Sequence, residues 1–122
     1  MASMEFSLSP RPVEDGITVI DLRGEVDAFT APKLKQEMID QIEGGSSRLA
    51  INLADVKYLD STGLGVLIGG LKRTRDKNGE LVLICPNVRI MRIFEITGLS
   101  RIFEMFQTEQ EALGRLKSTA SG

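Results

Sequence analysis

Stretches with the two-residue period of a β-strand alternate with stretches of helical period along nearly the whole chain, and this alternation constrains the fold most. Glu5 to Ser9 alternates through Phe6 and Leu8 and predicts a short strand, ended by Pro10 and Pro12. Asp15-Gly16 marks a hairpin turn. Ile17 to Arg23 is rich in β-branched residues and predicts a second strand, and Gly24-Glu25-Val26-Asp27 then leaves the sheet. Thr30-Ala31-Pro32 opens a helix, with Thr30 as cap and Pro32 in the first turn, where no hydrogen bond is lost. Leu34, Met38, Ile39 and Ile42 recur at helical spacing, and Gly44-Gly45 ends the run. Arg48 to Leu53 predicts a third strand with Leu49, Ile51 and Leu53 on one face, and a loop follows over Ala54 to Leu59.

Asp60-Ser61-Thr62-Gly63 opens a second helix reaching about Arg75, with Leu64, Leu67, Ile68 and Leu71 as its apolar stripe. Asn78-Gly79 is a turn, and Leu81 to Cys85 is apolar enough for a strand covered on both faces. A third helix begins at Pro86-Asn87 and ends near Ile96 before Gly98. Ile102 to Phe106 predicts a short final strand. Thr108-Glu109-Gln110-Glu111 is a capping box for a last helix to about Lys117, leaving Ser118 to Gly122 as a frayed tail. The order β-β-α-β-α-β-α-(β)-α predicts an α/β domain: a mixed sheet of four to five strands with an opening hairpin and helices packed on it. One domain over residues 1–122, ordered over about 5–117, fits a chain of 122 residues.

Composition removes several function classes. With no His there is no Ser-His-Asp triad and no imidazole metal ligand, and the lone Cys85 forms neither an intramolecular disulfide nor a Cys-rich zinc site. No catalytic residue, metal or cofactor is expected. Fifteen basic against seventeen acidic residues give a net charge of −2, which disfavours bulk nucleic-acid or membrane-surface binding. The longest uncharged, mostly apolar run, Gly63 to Leu71, falls short of the roughly 20 residues a membrane-spanning helix needs. The N-terminus lacks a basic stretch followed by an apolar core, so no signal peptide and a cytoplasmic location are expected.

The most informative stretch is Tyr58-Leu59-Asp60-Ser61-Thr62-Gly63-Leu64-Gly65. It sets hydroxyls where a loop enters a helix, beside first-turn amides that favour an anion. Either Ser61 or Asp60 serves as a simple cap, or the site has a function. Three polar residues in a row exceed what capping needs. Gly63, Gly65, Gly69 and Gly70 all fall in this one helix, where each interior glycine costs up to about 1 kcal/mol relative to Ala. Close packing on the sheet is one reason for them. Yet Thr62, Val66, Gly69 and Arg73 share the face opposite the apolar stripe, a small, smooth surface for a partner beside Ser61.

Other candidates are weaker. Asp27, between a strand and a helix, is a turn or cap residue or part of a docking surface. Cys85 stands where a phosphatase nucleophile would, but the required Cys-x5-Arg loop would place Arg at Met91, so it reads as a buried small apolar residue. Lys72, Arg73, Arg75 and Lys77 suit a helix C-terminus and a solvated face. Ile90, Met91, Ile93 and Phe94 spread beyond one stripe, giving core and one exposed edge for a partner or dimer contact.

Three segments in order carry a resemblance. Asp55-Val56-Lys57-Tyr58-Leu59-Asp60-Ser61-Thr62-Gly63-Leu64-Gly65-Val66-Leu67 resembles the signature of bacterial anti-sigma-factor antagonists, the single-domain members of the STAS family. Gly24-Glu25-Val26-Asp27 with Ala31-Pro32-Lys33-Leu34, and Arg92-Ile93-Phe94-Glu95-Ile96-Thr97-Gly98-Leu99, match as well, so the resemblance runs from about Phe6 to Leu116. It implies a binding module and phosphorylation substrate, not an enzyme. The implied acceptor is Ser61, with Thr62 the second choice. The implied partners are an anti-sigma factor that is a serine kinase and a serine phosphatase that restores the hydroxyl. The resemblance implies a docking surface at Asp27, Asp60, Thr62, Gly63, Val66, Gly69 and Arg73, on a monomer or weak dimer. Two other readings stay open: a STAS scaffold without a switch, and a nucleotide-sensing STAS module near Asp27 and Ser61.

Overall fold

The computed structural model describes residues 5–14 and 16–120. Five strands form one sheet in the order β1-β2-β3-β4-β5: β1 (Ser7–Glu14), β2 (Ile17–Val26), β3 (Arg48–Leu59), β4 (Glu80–Ile84) and β5 (Glu104–Phe106). β1 runs antiparallel to β2, and every later pair is parallel. The helices α1 (Ala31–Glu43), α2 (Ser61–Asp76) and α3 (Val88–Thr97) make the three crossovers, and α4 (Glu109–Ala120) follows β5. This is the α/β mixed sheet with an opening hairpin that the pattern predicts; Asp15 of the expected turn lies outside the described residues.

Strands added one by one in one direction, by crossovers of one hand, put every crossover helix on the same face. Accordingly Leu34, Met38 and Ile42 of α1, Leu64, Leu67 and Leu71 of α2, and Ile90 and Phe94 of α3 share one core with Ile20, Leu22, Ile51, Leu53, Leu81 and Leu83. α4 alone covers the opposite face, setting Ala112 and Leu116 on Ile17, Val19, Ala50, Val82 and Ile84. Ion pairs fasten it: Arg11 to Glu109 (2.6 Å), Arg115 to Glu80 (2.8 Å) and Glu104 (3.0 Å), and Lys117 to Glu14 (3.3 Å). The hydrogen bonds that Arg11 donates to Asp21 and Glu109 push its guanidinium pKa up, and the bond to Asp21 holds that carboxyl below its usual range.

Several boundaries differ from those read in the sequence. β1 continues through Pro10 and Pro12, which pair with Ile20 and Thr18. Two prolines spaced by two residues on an edge strand turn both missing N–H positions to the open side, where no ladder bond is lost. β2 does not end at Arg23, and Ala54 to Leu59 is strand rather than loop. Between Asp21↔Asn52 and Arg23↔Asp55, and again between Gly24↔Val56 and Glu25↔Tyr58, β3 carries one residue more than β2. Each such bulge reverses the inward parity of the strand. Leu53, Val56 and Leu59 are therefore all buried at spacings of three, a rhythm that does not read as a strand. Gly24 at the second bulge has a φ of 92°, open to glycine at little cost. Ile102 and Phe103 precede β5 rather than joining it, after a 3-10 turn at Leu99–Arg101. The last helix continues past Lys117 to Ala120, so Ser118 is helical rather than frayed; residues 121–122 are not described.

Candidate functional site

The site forms where β2 and β3 end side by side. Val26 pairs with Leu59, and the Asp60 amide donates to the Val26 carbonyl at 3.1 Å, so the loops beginning at Asp27 and Asp60 leave the sheet as neighbours.

Asp60 is the cap of α2. Its backbone is extended (φ −97°, ψ −175°), its Oδ1 accepts from the Gly63 amide at 3.1 Å, and its carbonyl accepts from Leu64 at 3.0 Å. That settles the choice between the two cap candidates and releases Ser61 from structural duty. Ser61 is the first helical residue and exposed, and its hydroxyl makes no hydrogen bond among the described residues. Thr62 is exposed as well.

Asp27 also has a local task. Its Oδ1 accepts from the Phe29 (2.9 Å) and Thr30 (3.1 Å) amides, and its carbonyl accepts from Ala31 at 2.8 Å. Thr30, expected to cap α1 through its side chain, does not. Its hydroxyl is turned back into the loop, donating to the Glu25 carbonyl at 2.8 Å and accepting from the Asp27 amide at 2.9 Å. The carboxylate of Asp27 holds that turn instead, since an Asp side chain reaches amides two and three residues on. The tightened loop carries Phe29, which is 89% exposed. The sequence reading missed Phe29. The available signal was a large apolar residue, Asp27-Ala28-Phe29-Thr30, in a turn too short to bury it.

Along the outer side of α2, Thr62, Val66, Gly69 and Arg73 do come together. With Gly65 and Gly70 of α2 and Lys35 and Met38 of α1 they line a groove of about 240 Å3. Gly63 does not belong to that surface. It is buried, and a Cβ there would stand 2.6 Å from Leu59 Cδ1 and 2.8 Å from Val26 Cγ1. Its side of the helix packs on the ends of β2 and β3, which is the close-packing role for a helical glycine.

Cys85 and the apolar residues of α3 have structural roles. Cys85 is 5% exposed, burial pushes its thiol pKa up, and its Sγ lies 3.6 Å from the Asn87 carbonyl, the setting of an inert thiol. Ile90 and Phe94 are core, Phe94 meeting Phe103 edge-on at 5.7 Å, while Met91 and Ile93 are half-buried. Lys72, Arg73, Arg75 and Lys77 are solvent-exposed. Among the described residues no three Cys, Asp or Glu side chains gather as metal ligands, and no helix is long and apolar enough to cross a membrane.

This architecture and sequence match known proteins. The STAS domain family model matches residues 10–112. The chain belongs to the STAS family. One relative of this STAS domain, the "Anti-sigma-B factor antagonist" of Listeria monocytogenes serovar 1/2a, is 47% identical over 96 residues, 78% of this chain and 83% of the relative. The protein of the same name from Bacillus subtilis strain 168 is 37% identical over 102 residues, 84% and 92% of the two chains. Among solved structures, an anti-sigma factor antagonist from Mycobacterium paratuberculosis aligns with a TM-score of 0.79 at 26% identity, covering 94% of this STAS domain and 95% of that chain.

Proposed function

We propose that this STAS domain is an anti-sigma-factor antagonist of the bacterial cytoplasm, switched by phosphorylation of Ser61. In this reading the unmodified protein binds an anti-sigma factor that is also a serine kinase and thereby releases a sigma factor. Phosphorylation ends that binding, and a serine phosphatase restores it. The protein acts as substrate and binding partner, not as catalyst. The names of its relatives support the antagonist role.

The observation that carries the switch is the division of labour between Asp60 and Ser61. Because Asp60 caps α2, Ser61 is exposed at the first helical position with a hydroxyl that makes no hydrogen bond among the described residues. A phosphate there adds about −1.5 to −2 charges at pH 7. The amides of the first turn favour it, so the helix tolerates it. The neighbouring carboxylates of Asp27 and Asp60 oppose it, and a partner seated over Ser61 would have to bury it. The fold survives and the docking surface becomes more negative.

The test begins with site-resolved phosphopeptide mass spectrometry on protein recovered from its own cells, in growth and under stress. Phosphate on Ser61 that varies with condition is expected; a well-detected but always unmodified Ser61 peptide overturns the switch. Ser61→Ala is expected to keep the fold and partner binding while losing the modification. Ser61→Asp is expected to weaken partner binding by about tenfold, or about 1.4 kcal/mol. Modification that persists in Ser61→Ala and vanishes in Thr62→Ala would move the acceptor to Thr62.

A further inference from the structure

Three cations converge on one cleft beside α3, and none of them makes an ion pair among the described residues. Lys57 of β3 and Arg89 and Arg92 of α3 line, with Asn87 and Val88, a cleft of about 520 Å3. Arg11 and Arg115 are each held by two carboxylates and Lys117 by one. Lys72, Arg73, Arg75 and Lys77 also make no ion pair among the described residues, but the cleft that Arg73 and Lys77 line holds Glu43 and Asp76 as well. Lys57, Arg89 and Arg92 are exposed and make no ion pair among the described residues, and no acidic side chain lines the cleft.

The helix makes the placement costly. Arg89 is the second residue of α3, and the first turn contains no acidic residue. A helix N-terminus is electropositive and disfavours cations. Capping does not require them there, because Asn87 Oδ1 already accepts from Arg89 N at 3.0 Å and Ile90 N at 3.4 Å. Residues that break a local preference without a compensating contact mark function. The walls are also fixed beforehand: Asn87 Nδ2 donates to the Val56 carbonyl at 3.1 Å, tying the start of α3 to β3 one residue before Lys57.

We propose that this cleft binds an acidic segment of a partner protein, its carboxylates against Lys57, Arg89 and Arg92 and an apolar side chain on Val88, which is 71% exposed. A single phosphate fits less well. Such a site gathers amides and cations about one point, whereas these cations stand on two elements around an open cleft and Asn87 occupies the nearest amides. A second copy of the same face fits less well too, since it would bring three more cations toward these three. The proposal does not depend on Ser61 being phosphorylated.

The test is an amide chemical-shift titration of the isotope-labelled full chain at low salt. The probe is an oligoglutamate peptide with one central leucine. Saturable shifts confined to the surroundings of residues 57 and 87–92 are expected, weakening markedly from about 50 to about 300 mM salt as screening tightens. Arg89→Gln with Arg92→Gln is expected to lower affinity by about tenfold or more, while Lys72→Gln with Arg75→Gln leaves it unchanged. Lys57→Gln, on a different element, repeats the loss should the α3 variant melt early. Shifts spread equally over Lys72 to Lys77 would overturn the proposal. So would tighter occupation of the cleft by inorganic phosphate or ATP, or movement of the same amides on dilution of the protein alone, which would make the occupant a small anion or a second copy.

Discussion

On the sheet-facing side of α2, Gly63 and Gly70 stand where a Cβ has no room; on its solvent side, Gly65 and Gly69 have nothing within 4 Å of where a Cβ would be. The same residue type solves two problems. Inside, the missing side chain lets the helix approach Val26 and Leu59 at one end and Met38 and Leu81 further along. Outside, packing gives no reason for glycine, and each one costs up to about 1 kcal/mol of helix stability. The difference teaches that glycine on the outer side answers to no contact within the fold, which suits the proposed docking surface. That side borders the groove that begins beside Ser61.

Substitutions on the inner side break the fold in graded steps. Leu67 is fully buried between α2 and the sheet, so Leu67→Ala should cost about 2–5 kcal/mol, read as a lowered urea midpoint. Gly63→Ala comes next, at about 1–3 kcal/mol, the usual range for overpacking. Its new Cβ meets the branched Val26 side chain and stands 3.2 Å from the Val26 carbonyl, and the strand cannot easily yield. Gly70→Ala should cost less than Gly63→Ala. The nearest atoms there are Met38 Sδ at 2.6 Å and Cε at 2.9 Å, the tip of a side chain that can swing aside. Equal losses at the two positions would show that Met38 is held as firmly as the strand.

The split between these glycines is only partly legible in the sequence. Helical periodicity places Leu64, Leu67 and Leu71 inward and Gly69 on the opposite side, but Gly63, which flanks the inward stripe, is assigned there to the docking surface, and the close approach of Val26 and Leu59 that buries it comes from the tertiary structure. The element order was legible because most segments keep their own period and turn residues. The exceptions have local causes. Two bulges in β3 cancel the alternation of its second half, and an edge position excuses Pro10 and Pro12. The cap of α2 lay between adjacent residues of equal propensity, and only the backbone at Asp60 decides it. Lys57 is separated from Arg89 and Arg92 by 30 or more residues, and the pairing of β3 with β4 is what unites them.

The sharpest form of the comparison is its smallest effect, because there the sign reverses. Gly69→Ala adds a methyl group that touches nothing and removes a glycine from a helix interior. Thermal unfolding should therefore show a stabilised protein, by up to about 1 kcal/mol. Gly65→Ala should do the same by less, since it lies in the first turns of the helix. If the bare side is a docking surface, the more stable variant should bind its partner more weakly, because the methyl groups stand where a partner's backbone would approach. Titration calorimetry with the proposed partner kinase and the melting curve must then move in opposite directions. A Gly69→Ala protein that is both more stable and unimpaired in binding would leave the outer glycines without this explanation. Stabilisation alongside weakened binding would show that α2 gives up stability along one side to keep that side open.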